Sequence, residues 1–376
     1  MDESPLRILH VVGKMNRAGA EAMLMSLYRG IDRNEVQFDF LEFTDGTSDF
    51  GREIEELGGR VLKCKWSQNP TQIIPTRRAV QRVIEREGPY AAVHSHVMFA
   101  SGIVLSAAKA AGVPFRVAHS HSTSDTRHGL VARSYRAMAR WLIQRNSTSR
   151  VACSNEAGLY LFGHRFFEYG GVVLPNSVDL EKFHPMTSIE GQKFCTSETT
   201  TLVVVARLEP VKNHQFLIDL AAALHDRGAN FLMKFVGKGS LETALAAAIA
   251  ERGLCDQIQM LGSRSDVDEI LRNSDALLMP SLWEGLPVAL VEAQATGLPC
   301  LISDTISREA DLGFDLLRFL SLDSVSAWAD SIEAGFPSRP TSEMIRNTLE
   351  TRGYTIESSL EKLLPLYGPQ LGGLIQ

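Results

Sequence analysis

Glu284 and Glu292 sit on either side of a Gly-Leu-Pro in the stretch S-L-W-E-G-L-P-V-A-L-V-E-A-Q-A-T-G, residues 281–297. The pattern reads as a loop opening into a helix, with Pro287 at the first helical position, where its missing N–H costs nothing. The amides of Gly285, Leu286 and the first helical turn are then free at the positive end of the helix dipole, a seat suited to a phosphate. Glu284 at the mouth of that seat repels an anion and needs another task. A carboxylate only accepts hydrogen bonds, and the paired hydroxyls of a sugar are its natural donors. Glu292, about one and a half turns into the helix, reaches a second diol such as a ribose. In the plainer reading Glu284 is a cap and Glu292 satisfies neighbouring backbone. Two carboxylates flanking one anion-ready helix start favour the ligand-binding reading.

Other loops carry related chemistry. Arg207 and Lys212, in R-L-E-P-V-K-N just past an apolar run, offer a guanidinium fork and a point charge to a phosphate. Alone they read as solvated charges. The G-K-G beginning at Gly237 allows close backbone approach, or is a plain tight turn. In G-K-M-N-R-A-G-A-E, Gly19 stands ahead of a helix as a further phosphate-facing turn. Asp266-Val267-Asp268 spells D-x-D, a pattern that elsewhere holds a metal-bound nucleotide sugar, but its place before a helix makes Asp266 an N-cap. V-H-S-H and A-H-S-H put His94, His96, His119 and His121 at two strand ends. Imidazole suits zinc, yet no group of carboxylates accompanies the four, and contact with a sugar hydroxyl or phosphate is the preferred reading. Residues 127–150 are rich in arginine and hold no acid. They form either a helix with a solvated basic face or, with Leu130, Trp141 and Leu142 as an apolar face, a contact for an anionic membrane.

The elements that position these residues alternate along the chain. Strands are expected at Leu6–Val12, Val36–Phe43, Arg60–Cys64, Ala91–His94, Phe115–Ala118 and Val172–Leu174, and helices at Ala20–Tyr28, Phe50–Leu57, Ile73–Glu87, Gly102–Ala111 and Val131–Arg145. After the polar, irregular stretch Leu180–Thr200, a linker candidate, a second series runs Thr201–Ala206, His214–Asp226, Phe231–Val236, Ser240–Glu251, Ile258–Leu261, Val267–Asn273 and Ala276–Met279 into the helix that follows Glu284. Alternation of this kind predicts an α/β fold of two doubly wound, Rossmann-like domains, 1–175 and 176–354, with ligands beyond the carboxyl ends of the strands. Length supports two domains. A formal charge of -6 argues against a nucleic-acid partner, and no apolar run is long enough for a spanning helix. The start M-D-E-S-P-L-R-I-L-H is unlike a signal peptide. Five scattered cysteines without a C-x-x-C fit a reducing, cytoplasmic setting.

Taken together, Arg207 with Lys212, G-K-G and E-G-L-P-V-A-L-V-E resemble the retaining glycosyltransferases of family 4. R-I-L-H-V-V-G-K-M-N-R-A-G-A-E, V-H-S-H, A-H-S-H, V-A-C-S-N and P-S-L-W-E-G-L-P-V resemble its capsular and exopolysaccharide branch. The resemblance runs from about residue 6 to the last helix. It implies a GT-B fold with two domains facing a central cleft that closes on the donor, and a C-terminal helix, about 355–376, packed back onto the first domain. It implies a hexosyl transfer from a nucleotide sugar, UDP-linked by default, to a saccharide or lipid-linked acceptor, with retention of configuration. By the same resemblance Arg207 and Lys212 bind the donor diphosphate with the amides after Glu284 and the turn at Gly19; Glu284 holds the sugar and Glu292 the ribose. The Ser263–Arg264 loop faces the base, and His119 or His121 lies near the reacting carbon. The family's Gly-Gly in the first loop is Ala18-Gly19 here, which weakens phosphate approach at that loop. Two cations and a helix dipole suffice to stabilise the leaving group, so no metal or other cofactor is expected. The competing readings are a metal-dependent hydrolase built on the four histidines and a sugar-nucleotide epimerase of the same fold. The expected location is cytoplasmic, with peripheral contact at the inner face of the membrane if the basic helix binds there.

Overall fold

The computed structural model describes residues 5–65, 73–124, 129–185 and 199–373, in two compact units, Met1–Ser177 with Ile356–Gln376 and Val178–Thr355. In the first, β1 (Leu6–Val12) leads to α1 (Gly19–Gly30), β2 (Val36–Glu42) to α2 (Gly51–Glu56), and β3 (Val61–Lys63) to α3 (Ile73–Glu87). Then β4 (Ala92–Ser95) leads to α4 (Ser101–Ala110), β5 (Phe115–Ser120) to α5 (Leu130–Asn146), β6 (Ser149–Ala152) to α6 (Asn155–Phe162), and β7 (Val172–Val173) ends the series. All strands are parallel, in the order β3-β2-β1-β4-β5-β6-β7. Helices cover both faces, so β1 and β2 are buried almost throughout. Leu9, Val11, Val93 and Ala118 turn to one face and pack with Val80, Ile84, Val104 and Ile143. The two-residue period sends His10, Phe38, Phe40, His94 and His119 to the other.

The second unit runs β8 (Thr200–Val205), α7 (His214–Asp226), β9 (Phe231–Val236), α8 (Glu242–Glu251), β10 (Ile258–Gly262), α9 (Val267–Arg272), β11 (Ala276–Met279) and α10 (Val288–Ala295). It continues with β12 (Cys300–Ser303), β13 (Leu317–Leu320), α11 (Val325–Glu333) and α12 (Ser342–Arg352). The sheet is parallel, ordered β10-β9-β8-β11-β12-β13. Its core joins Leu202, Val204, Leu217, Phe235 and Leu278 to the fully buried Trp328, whose Nε1–H donates to Ser321 O at 3.0 Å. The chain then returns: α13 (Ile356–Leu363) packs on α1 in the first unit, and the turn Leu364–Tyr367 reaches β5.

Several expectations need correction. α10 begins at Val288, and Pro287 is its N-cap in extended conformation (ψ 119°), not the first helical residue. Gly19 is the first residue of α1 and does not precede it. Asp266 does stand at the N-cap of α9, but its carboxylate makes no cap bond. β6, α6, β12, β13, α11 and α12 have no counterpart in the sequence reading; the three strands have four residues each, and α12 is mostly polar. In α5, Leu142 does not join an exposed apolar face: its Cβ packs against Gly102 of α4, and the exposed apolar residues are Val131, Met138 and Trp141. Arg127, His128, the side chain of Leu130 and most of the linker stretch, 186–198, lie outside the described residues.

Candidate active site

In a doubly wound sheet the ligand crevice lies where the strand order reverses, beyond the carboxyl ends of the strands. In the second unit that point is between β8 and β11. Their two loops are tied side by side. Pro210–Lys212 form a single 3-10 turn that Asn213 ends in the left-handed region (φ 54°), and Val211 O accepts the N–H of Leu282 at 2.8 Å. Across the tie Lys212 Nζ donates to Glu284 Oε1 at 2.5 Å, with only 17% and 11% of the side chains exposed. The lysine proposed for phosphate and the glutamate proposed for sugar therefore hold each other. Arg207 beside them is exposed, and its guanidinium has no hydrogen-bond partner among the described residues.

α10 starts behind Glu284 without a side-chain cap. Among the described residues the amides of Gly285, Val288 and Ala289 have no partner. They sit at the positive end of the helix, next to a lysine, which is the physical make-up of an anion seat. Glu292 is in the second turn of α10, partly buried and without a hydrogen-bond partner among the described residues. Burial pushes its carboxyl up to about 7, with Lys182 pulling it down and Asp268 adding to the rise.

The remaining loops of this unit brace the site. At Gly237, φ is +145°, and a Cβ would lie 1.9 Å from Ala206 O; at Gly239 a Cβ would lie 2.4 Å from Leu208 O. What these glycines let approach is the β8 loop itself, and the Gly237 N–H is already donated to Gly262 O at 2.8 Å. Arg264 turns back on Asp266 with two bonds of 2.8 and 2.6 Å, which is why that carboxylate does not cap α9. The next carbonyl, Ser265 O, accepts from Lys182 Nζ at 3.0 Å. His214, at the start of α7, went unnoticed in the sequence: both ring nitrogens are buried without a partner among the described residues, and burial, with Lys212 nearby, lowers it to about 4.

In the first unit the order reverses between β1 and β4, and histidines gather there. His10 of β1 pairs in register with His94 of β4. His10 Nδ1 lies 3.1 Å from His96 Nε2, His96 Nδ1 lies 2.9 Å from His121 Nε2, and His94 Nδ1 lies 2.6 Å from the Tyr367 hydroxyl. His119 stacks on His94 at 5.2 Å and 7°, and neither of its nitrogens has a partner among the described residues. Burial keeps all five rings neutral: His10 falls to about 3, His121 to about 4, and His94, His96 and His119 go well below their ordinary value. The nitrogens of His10, His94 and His96, and those of His96, His119 and His121, each lie within 4.8 Å of one another, a spacing within reach of a metal, though neither group includes a carboxylate or thiolate. His10 and Tyr367 were not singled out in the sequence. The signal available for His10 was its alternation with Ile8 and Val12 in a central strand. Nothing local marks Tyr367, which arrives from the last helix. Gly19 opens α1 without a side-chain cap, and the loop before it is fixed by buried Glu42, which accepts the Met15 N–H at 2.7 Å and pairs with Lys63.

Two doubly wound units, each with its polar side chains collected where the strand order reverses, define the GT-B architecture of glycosyltransferases. Residues 18–176 match the family described as "Glycosyl transferase 4-like domain", and residues 188–312 match "Glycosyl transferases group 1". The chain belongs to this glycosyltransferase family, family 4. It is 40% identical over 377 residues to the EpsF sequence of Bacillus subtilis (strain 168), itself assigned as a glycosyltransferase by name, covering 98% of this chain and 97% of that one. An Escherichia coli UDP-Gal:alpha-D-GlcNAc-diphosphoundecaprenol alpha-1,3-galactosyltransferase is 27% identical over 308 residues, 77% of this chain and 78% of its own length. The crystal structure of a glycosyltransferase from Rickettsia africae ESF-5 matches in fold with a TM-score of 0.74 at 17% identity, covering 99% of this chain and 100% of that one. Glycosyl transfer thus replaces the hydrolase and epimerase readings. No helix among the described residues is long and apolar enough to cross a membrane.

Proposed function

We propose that this glycosyltransferase moves a hexosyl group, with retention of configuration, from a UDP-sugar to a saccharide or lipid-linked acceptor of a surface polysaccharide. The observation that carries the reading is the uncapped start of α10 beside the Lys212–Glu284 pair at the switch point of the second unit. A diphosphate seated on the Gly285, Val288 and Ala289 amides attracts Lys212 and Arg207. Lys212 then leaves Glu284, whose carboxylate turns to the sugar hydroxyls. Glu292 accepts from the ribose, and the Ser263–Arg264 loop meets the base. Charge that develops on the departing nucleoside diphosphate is met by two cations and a helix dipole, so a divalent metal on the phosphates is not required. In the first unit His119 and His121 are the rings assigned to the reacting sugar. The Escherichia coli relative, named for a UDP-sugar donor and a lipid-diphosphate acceptor, supports both substrate classes. Nucleotide release from a panel of nucleotide sugars, with and without EDTA, tests the reading. UDP release that survives EDTA and is lost in Glu284→Ala supports it; no turnover with any donor, or abolition by the chelator, overturns it.

A cytoplasmic location with peripheral membrane contact is part of the same proposal. On α5, Val131, Met138, Trp141 and Arg145 lie on one exposed stripe, with Val131 82% and Trp141 56% exposed. Trp141 and Arg145 also line a hollow shared with Arg77 and Lys109. Apolar tips among cations fit an anionic bilayer surface. Flotation with anionic vesicles that fails, or that is unchanged in a Lys109→Glu/Arg145→Glu variant, refutes this contact.

A further inference from the structure

The mechanism above leaves Tyr367 unused, although it is fully buried in the first unit and comes from the last residues of the chain. Its ring stands edge-on to His10 and Phe38, and the hydrogen-bond partner seen for its hydroxyl is His94 Nδ1, at 2.6 Å. His94 in turn has no partner at Nε2 among the described residues, and its ring lies parallel to His119. Among the described residues His119 has no hydrogen bond at either nitrogen, so packing against its neighbours sets its orientation. Those neighbours are His94, His96 at 5.3 Å and His121 at 4.0 Å. Of these, His94 is the one whose ring is anchored to something outside the histidine group.

The direction of the Tyr367–His94 bond follows from acidity. Both groups are neutral, and a phenol is a far stronger acid than an imidazole N–H, so the O–H donates and Nδ1 accepts. A neutral imidazole that accepts at Nδ1 carries its proton at Nε2. The phenol therefore selects one of two tautomers and one of two ring flips of His94, as the outer partners of functional imidazoles do elsewhere. We infer that Tyr367 is a positioning residue: it fixes the tautomer and plane of His94, against which the otherwise unanchored ring of His119 is set. The return of the chain to the first unit then serves the reaction as well as the fold, because α13 and the turn after it deliver this hydroxyl to the strand ends.

The kinetic consequence rests on the assignment of His119 to the reacting sugar; the tautomer does not. Tyr367→Phe removes one oxygen and keeps the ring, and its fold is checked by denaturation. Loss of one neutral hydrogen bond, of order 1 kcal/mol, corresponds to about a fivefold fall in kcat. The donor KM stays within about twofold, since the groups that hold the donor belong to the second unit. Adding His94→Gln to Tyr367→Phe lowers kcat little beyond His94→Gln alone, because the two act in series. In 15N spectra of histidine-labelled full-length protein, with His94 assigned by the loss of its signals in His94→Gln, Nδ1 reads as bare and hydrogen-bonded in the parent and loses the hydrogen-bond shift in Tyr367→Phe. An Nδ1-protonated His94 in the parent overturns the inference. So does an unchanged kcat in Tyr367→Phe, a donor KM that rises as kcat falls, or additive losses in the double variant. If His119→Ala retains full activity, the role given to His119 fails, while the tautomer experiment still decides the part played by Tyr367.

Discussion

Glu292 gives donor binding a pH dependence that can be worked out in advance. In the free protein burial holds its carboxyl at about 7. A ribose diol donates to the carboxylate, so the donor selects the charged form and lowers the pKa of this group on binding. A raised acid pKa makes the charged form the minority below it. About one tenth of the protein is competent at pH 6 and about nine tenths at pH 8, so the apparent Kd tightens about tenfold over that interval and levels off above it. Binding at pH 6 releases close to one proton. The diphosphate of an intact nucleotide sugar is a diester and does not titrate there. His214, the buried histidine closest to the site in sequence, has already lost its proton, since burial lowers it to about 4. Calorimetry with UDP-glucose at pH 6, 7 and 8, in two buffers of different ionisation enthalpy, yields both the affinity and the proton count. Glu292→Gln abolishes the slope. A parent Kd that changes less than twofold across the range, or a slope that survives in Glu292→Gln, refutes the ribose assignment.

Three further outcomes are expected. Lys212→Met lowers kcat/KM by about a hundredfold or more through lost stabilisation of the leaving group, and, because it leaves the mostly buried Glu284 carboxylate without its cation, it also costs about 3 kcal/mol in urea denaturation; a loss of stability with normal kcat/KM would place the lysine in the fold alone. Gly237→Ala, which must accommodate a Cβ 1.9 Å from Ala206 O at a φ of +145°, destabilises the second unit by more than about 3 kcal/mol, readable as a lowered Tm. Asp39→Asn in the first unit costs about 3 kcal/mol or more. Burial alone would raise the Asp39 carboxyl, but hydrogen bonds from Arg7 and Arg60 hold it below its ordinary value. Its contribution is present at neutral pH and disappears as pH falls through that depressed pKa, so acid denaturation of Asp39→Asn lacks this component.

Where a residue's place in the fold depends on its immediate neighbours, the sequence was a good guide. E-G-L-P followed by an apolar run has to become a loop and a helix start, and the free amides follow from helix geometry wherever that helix lies. The Arg207–Lys212 loop was placed correctly at a strand end for the same reason. Pro287 was off by one position because proline's fixed φ is compatible with both the cap and the first turn, and only ψ separates them. Gly237 was read as allowing close backbone approach or as a plain tight turn; the backbone that approaches is the neighbouring loop, a partner about 30 residues away that no local pattern displays. The strands β6, β12 and β13 are four residues each, too short for a two-residue period to stand out.

The sequence by itself determined the alternation of strand and helix, two doubly wound units, and which loops carry cations, carboxylates and imidazoles. These are properties of hydrophobic period and residue type, which act over a few residues. Only the tertiary structure decided which of those groups meet. It paired Lys212 with Glu284 across two loops, left Glu292 half-buried and half-ionised at neutral pH, joined His10 to the histidines recognised at the strand ends, and brought Tyr367 back from the end of the chain to His94. Strand order and long-range packing set those distances, and burial, which is a property of the whole fold, sets the charge each group carries.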